Sequence, residues 1–241
     1  MSRLAGRLAV VTGATRGIGA AVAELLAVEG ATVLRVARTL SEASRGTIHD
    51  IPCDLTDPVQ VGRLGSRVIT QHGAPDVVVS NAGSFLLRRL ETTEPAELEA
   101  QLAVNLRAPF YVAQAFLPAM RMAGKGSFIT VGSVADHTGF PENSAYAASK
   151  YGLRGLHETL LAEYAGSGVR LTLVSPGPTD TAVWDAVDPD NRPGFMPRAD
   201  MLRPTDVAEV IVFVATRPPH VIVDWIRVGP AKRASAADER G

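Results

Sequence analysis

A chain of 241 residues, 46% of them hydrophobic, can bury a sizeable core without disulfides or structural metals. Its formal net charge of −1, with no long basic run, argues against nucleic acid or an anionic membrane as a partner. Cys53 is the single cysteine, which excludes a disulfide framework and a cysteine-based zinc site, and no apolar run approaches a membrane span.

The first uninterrupted apolar run, residues 8–11, is too short for a secretory signal, so a cytoplasmic setting is expected. The same run reads as a strand buried on both faces of a parallel sheet. Thr12-Gly13-Ala14-Thr15-Arg16-Gly17-Ile18-Gly19 follows, then an apolar helix over residues 20–29 that stops at Gly30. Strand, glycine-rich turn and helix in that order make a phosphate cradle. Gly13, Gly17 and Gly19 permit a tight turn and close backbone approach, and the helix start offers free N–H groups. The spacing is G-x-x-x-G-x-G rather than the commoner G-x-G-x-x-G.

Residues 32–37 read as the second strand. Where an NAD-binding unit often carries an acid for the ribose hydroxyls, this chain has Ala37 and then Arg38. An Arg there pairs with a 2′-phosphate, and Arg16 is a second candidate, so NADP(H) is favoured over NAD(H). Residues 47–52 read as the third strand and lead to Asp54, placed where doubly wound sheets bind ligands. Asp57 and Pro58 cap and open a helix to about residue 71. Residues 76–80 form a fourth buried strand that stops at Asn81-Ala82-Gly83, small enough for a flat cofactor to pass.

A helical region spans about 94–122 and holds Asn105, with Pro109 and Pro118 interrupting its pattern. Residues 126–131 read as the fifth strand, leading to Ser133. A helix over residues 144–165 carries Tyr146 and Lys150, four apart and so on one face. A phenol has a pKa of about 10, and an ammonium held nearby lowers it, so the pair suits general acid–base work near neutrality. With 21 arginines and 3 lysines in the chain, Lys150 is one of few tunable amines. Residues 169–174 form the sixth strand, followed by Pro176, Gly177, Thr179 and Thr181. Residues 183–202, rich in Asp, Pro and Arg, read as a lid over the site. A last helix (204–215), a last strand (221–228) and a frayed tail (229–241) complete the chain. Strands alternate with helices throughout and no linker intervenes. The expected fold is α/β: one doubly wound Rossmann domain over residues 1–241, with a mostly parallel seven-stranded sheet and helices on both faces.

The run Thr12 to Gly19, Asp54, Asn81-Ala82-Gly83, Asn105, Ser133, Tyr146-x-x-x-Lys150 and Pro176-Gly177 closely resembles, in order and spacing, the short-chain dehydrogenase/reductase family, its compact one-domain branch. The resemblance covers roughly residues 6–228. It implies an NADP(H)-dependent oxidoreductase moving a hydride between the nicotinamide and a small ketone or secondary alcohol. Tyr146 would be the general acid or base. Lys150 would lower its pKa and bond the nicotinamide ribose. Ser133, 13 residues before Tyr146 as in the family, would bond the carbonyl oxygen. Asn105 would kink its helix and hold a water in a proton relay to Lys150. Gly13, Arg16, Gly17, Ile18 and Gly19 would take the phosphates, Arg38 the 2′-phosphate and Asp54 the adenine amine. Asn81, Ala82 and Gly83 would line the adenosine half, and Pro176, Gly177, Thr179 and Thr181 the nicotinamide half. No metal enters that scheme. A homo-oligomer, tetramer or dimer, is implied. An NADP-binding sensor or regulatory protein without turnover is the alternative, and an epimerase or dehydratase is disfavoured by the short chain and the glycine spacing.

Phe85, Phe140, Trp184, Phe195 and Met196 are candidates for a substrate pocket or for core packing. The family's frequent Asp-Gly-Gly near the end is absent. The chain ends closer to the Pro-Pro-His-Val type of reductases of assorted small carbonyl or hydroxy compounds, which leaves the substrate open.

Overall fold

The computed structural model describes residues 2–231, and in this range the chain folds as one α/β domain. The elements run β1 (Leu8–Thr12), α1 (Gly17–Val28), β2 (Thr32–Ala37), β3 (Ala43–Arg45), β4 (Ile48–Pro52), α2 (Pro58–His72), β5 (Val77–Ser80), α3 (Pro95–Leu102), α4 (Ala108–Ala123), β6 (Gly126–Val131), α5 (Ser144–Glu163), β7 (Val169–Pro176), α6 (Pro204–Ala215) and β8 (Trp225–Val228). They form a single sheet in the order β3-β4-β2-β1-β5-β6-β7-β8, parallel except at β3.

β1 and β5 are buried at every position, as their unbroken apolar runs require. Alternate residues of β1 and of its neighbour β2 feed two separate cores. Ala9, Val11 and Val33 pack with α1 and α6, whereas Leu8, Val10 and Leu34 pack with α2 and α4. A fully buried valine such as Val10 contributes about 2 kcal/mol to such a core. β1 pairs with β2 on one side and β5 on the other, so the winding reverses between β1 and β5. That reversal opens a crevice at the carboxyl ends of the two strands.

Four differences from the expected elements have local causes. The sheet has eight strands among the described residues, not seven. The extra one, β3, is a three-residue, fully exposed edge strand joined to β4 by a tight turn that opens on Gly46 at φ +61°. Its polar, water-facing residues carry no apolar pattern. β8 is shorter than the expected strand, because β7 pairs with it only from Leu173 onward. The 94–122 region is α3 and α4 joined by a π-turn, Ala103–Arg107. Pro109 has no N–H to donate to the carbonyl of Asn105, and the wider turn accommodates that loss. Pro118 stays inside α4, where both it and Gln114, whose carbonyl it leaves unbonded, face water. Residues 183–202 are not structureless: they contain three short 3-10 turns. Of the expected tail, residues 232–241 lie outside the described residues.

Candidate active site

The crevice is closed on its floor by two turns in direct contact. Gly13 follows β1 at φ +64°, and a Cβ there would lie 2.8 Å from the Cα of Ala82. A Cβ on Gly19 would sit 2.3 Å from the Gly13 carbonyl oxygen and 2.4 Å from Asn81 Nδ2. Asn81 Nδ2 donates to the carbonyls of Thr12 (3.0 Å) and Gly13 (3.3 Å). The Thr12 hydroxyl accepts the N–H groups of Asn81 (2.9 Å) and Ala82 (3.1 Å). The glycines therefore serve this turn-to-turn packing as well as any ligand. Asn81 ties the two turns together, a role its sequence position did not announce.

α1 starts at Gly17 with Arg16 as an extended cap residue, no side chain on its first N–H groups and no acid in its first turn. Those donors and the positive end of the helix dipole point into the crevice without an internal partner, which suits a phosphate. Gly17, at φ +57°, faces the Thr181 methyl, so the glycine turn and the segment after β7 approach one another. Ile18 packs back on the core and does not reach the crevice as a polar group. Arg16 and Arg38 are exposed, and neither has an ion-pair partner among the described residues. Arg38 is close enough to Asp54 to help lower its pKa. The larger causes there are the N–H and hydroxyl of Thr56, both bonded to the Asp54 carboxylate. On the far wall, Gly177 N donates to Val228 O at 2.8 Å, extending the sheet past Pro176, and the buried Thr179 turns its hydroxyl back to Gly177 O at 3.0 Å.

Tyr146, Ser133 and Lys150 converge above this floor. The Ser133 hydroxyl lies near enough to the Tyr146 phenol to lower its pKa. Lys150, 5% exposed, donates to the Val131 carbonyl at 3.2 Å, and its Nζ lies 5.8 Å from the centre of the Tyr146 ring. The expected lowering of the phenol by the ammonium is not what dominates here. Burial pushes Tyr146 up to about 12, against the lowering by Ser133. Burial likewise brings Lys150 down to about 8, opposed by the charge of Asp136. Lys150 is thus a base whose pKa falls on folding. The unfolded chain keeps its proton to about 10.5 and the folded chain releases it near 8, so stability rises with pH between those values. A Lys150→Met variant lacks that titration. Its melting temperature relative to the parent is expected to fall as pH climbs through this window, by the equivalent of ~3 kcal/mol. Parallel pH profiles of melting would contradict this.

Asn105 is fully buried in the π-turn. Its Oδ1 accepts the Ser84 N–H at 2.9 Å, and its Nδ2 is shared among Ser84 O, Gln101 Oε1 and Ser149 Oγ, each at 3.0 Å. The side chain is thus bonded to protein rather than reserved for a water. It fixes the backbone after Gly83 against the helix bearing Tyr146.

Asp136 is the residue that the sequence reading missed. Its carboxylate has no exposed surface and accepts the Ser133 N–H (3.1 Å) and the Ser175 hydroxyl (2.6 Å), with His137 Nδ1 at 2.6 Å. It anchors the backbone that presents Ser133. The Ser-x-x-Asp spacing of a capping box was the available sign. The expected lid is pinned. Trp184 donates its indole N–H to Thr179 O at 3.1 Å, Arg198 pairs with Asp180 and Asp185, and Arg192 pairs with Glu142 of the loop before α5.

This set of turns and side chains has counterparts in known proteins. A family profile described as short chain dehydrogenase matches residues 7–192. The chain belongs to the short-chain dehydrogenase family. An uncharacterized oxidoreductase of Staphylococcus aureus (strain USA300) is 32% identical over 237 residues, covering 95% of this chain and 100% of the relative. A solved metagenomic short-chain oxidoreductase in complex with NADP is 34% identical, with a TM-score of 0.80 over 96% of this chain and 100% of that one. An alcohol dehydrogenase from the archaeon Thermococcus sibiricus, complexed with 5-hydroxy-NADP, is 26% identical, with a TM-score of 0.81 over 94% and 98%. Among short-chain dehydrogenases, then, this chain is an oxidoreductase by kinship, and its own crevice must say what it holds. No described helix is long and apolar enough to cross a membrane.

Proposed function

We propose that the chain is an NADP(H)-dependent oxidoreductase that moves a hydride between the nicotinamide and a small ketone or secondary alcohol, with Tyr146 as general acid or base. The observation that carries this reading is the convergence of Tyr146, Ser133 and Lys150 beside an uncapped, acid-free helix start. The uncapped start of α1, with no acid in its first turn, fits the phosphates of a dinucleotide. When bound, NADPH supplies the hydride. The N–H groups of the turn from Gly13 to Gly19 hold the phosphates, with Ile18 shaping the turn from below. Arg16 and Arg38 hold the 2′-phosphate, and their freedom from internal ion pairs supports that assignment. Asp54 takes the adenine amine. Asn81, Ala82 and Gly83 flank the adenosine, and Pro176, Gly177, Thr179 and Thr181 the nicotinamide.

In reduction, Tyr146 gives its phenolic proton to the carbonyl oxygen while the Ser133 hydroxyl donates a hydrogen bond that strengthens as charge builds there. A phenol held up near 12 keeps its proton at neutral pH, as the donor in a reduction must, but gives it up with little driving force until charge builds on the substrate oxygen. Lys150 would hold the ribose, and Asn105 keeps the backbone after Gly83 against the helix that carries Tyr146 and Lys150. Asp136 keeps Ser133 in place. Two related solved proteins carrying NADP or its 5-hydroxy derivative support the cofactor choice. A cytoplasmic homo-oligomer, tetramer or dimer, belongs to the same reading.

The test is oxidation of NADPH, followed by its near-ultraviolet absorbance, with a panel of ketones. Arg38→Ala is expected to raise the KM for NADPH about 10- to 100-fold, the loss of one or two charge-assisted bonds, and to leave that for NADH nearly unchanged. Equal effects on both cofactors would remove Arg38 from the 2′-phosphate.

A further inference from the structure

One wall of the crevice is aromatic, and it begins at the acid itself. The Phe85 ring meets the Tyr146 ring edge to face, with centroids 5.0 Å apart at 85°. Trp184 continues the series, 5.0 Å from Phe85, and Phe195 lies 6.5 Å beyond Trp184. Phe85, Trp184 and Phe195 are each only part-buried. The polar atom of the indole is spent on Thr179 O, so the rest of that ring presents apolar surface.

Lys150 is buried on the Val131 carbonyl and, in the oxidoreductase reading, committed to the ribose, and Arg192, Arg198, His137 and Arg88 are already partnered. Arg192 pairs with Glu142 and stacks 4.5 Å from the Phe195 ring, and Arg198 pairs with Asp180 at 2.9 Å and with Asp185. His137 bonds Asp136, and Arg88 pairs with Glu97 at 3.2 Å. A carboxylate or phosphate on the substrate would have to displace one of these internal partners or stay unpaired beside Asp136 and Glu142, at a heavy desolvation cost.

We infer that the site takes an uncharged ketone bearing a flat apolar group of aryl size, seated against Phe85 and Trp184 with its carbonyl toward Tyr146 and Ser133. The inference rests on the oxidoreductase reading for its chemistry and on the aromatic wall for its class. Ring pairs at 4.5–7 Å in edge-on or offset geometry attract beyond their burial, and a substrate ring extends a series of that geometry. The reaction balances simply. Hydride from NADPH reaches the carbonyl carbon, the Tyr146 proton reaches the oxygen, and a secondary benzylic-type alcohol and NADP+ leave.

The experiment compares acetophenone, acetone, pyruvate and benzoylformate as substrates with NADPH, together with ligand-observed NMR binding of the same four to the protein loaded with NADP+. Acetophenone is expected to exceed acetone in kcat/KM by about 100-fold, the scale of one well-filled apolar pocket, and to exceed both oxo acids. Trp184→Ala is expected to cut the acetophenone-to-acetone ratio about tenfold. Phe85→Leu, a milder change, reports the same loss should the Trp184 variant fail to fold. A preference for pyruvate or benzoylformate, or a ratio that neither variant moves, overturns the inference and leaves the oxidoreductase reading intact. Turnover of none of the four overturns that reading instead. The binding series then decides the inference: tightest binding of acetophenone supports it, and equal binding of acetophenone and acetone overturns it.

Discussion

Tyr146→Phe is expected to lower kcat/KM for ketone reduction about a thousandfold while leaving the affinity for NADPH within a few-fold of the parent. The removed atom is the proposed proton donor, and its loss leaves only the neighbouring Ser133 hydroxyl without it. The ring itself stays, so its edge-on contact with Phe85 stays too, and the melting temperature should barely move. Loss confined to kcat would mark an interaction made in the transition state. A variant that keeps a tenth or more of the parent rate would remove Tyr146 from the chemistry. NADPH binding with no turnover in the parent itself would instead leave the sensor alternative standing.

Gly19→Ala is expected to be the most damaging single methyl in the crevice. The added Cβ would lie 2.3 Å from the Gly13 carbonyl oxygen, a backbone atom that the β1–β5 turn contact holds in place. Relief requires the glycine turn to move off Asn81, which breaks the bonds from Asn81 Nδ2 to Thr12 O and Gly13 O. The cost is ~2–3 kcal/mol of stability by overpacking, with NADPH binding weakened about a hundredfold as the N–H donors lose their aim. Thermal melting and calorimetric titration read the two effects separately. Gly62→Ala makes the control: in α2, with nothing within 4 Å of the new Cβ, it should stabilise slightly. An equal loss in both variants would show that the effect is general to glycine replacement and not to this contact.

Much of this was legible before the fold. The unbroken apolar runs of β1 and β5, the glycine turn and the capped start of α2 at Asp57 are local patterns with local causes, and each is found where its pattern puts it. The Tyr146 and Lys150 spacing needed only a helix, which is α5. β3 escaped notice because a three-residue edge strand facing water on both sides has no apolar signature. The π-turn at Asn105 escaped because Pro109 announces a disturbed helix without saying whether it breaks, kinks or widens.

What the sequence determined alone is a set of candidate carriers and their spacing: a glycine turn after the first strand, a phenol and an amine one helical turn apart, a serine ahead of them, and arginine where an acid was expected. These follow from residue type and short spacing, which survive any plausible packing. What the tertiary structure decided is everything that depends on distant residues meeting. Burial, not the neighbouring ammonium, governs Tyr146 and Lys150, because the crevice that encloses them is walled by segments distant in the chain. Asp136 became the anchor of Ser133 because the fold brings Ser175 to it across 39 residues. Phe85 and Trp184, nearly a hundred residues apart in sequence, form one wall because the parallel strands β5 and β7, with only β6 between them, end on the same side of the sheet. No local pattern encodes such meetings, since they depend on strand order.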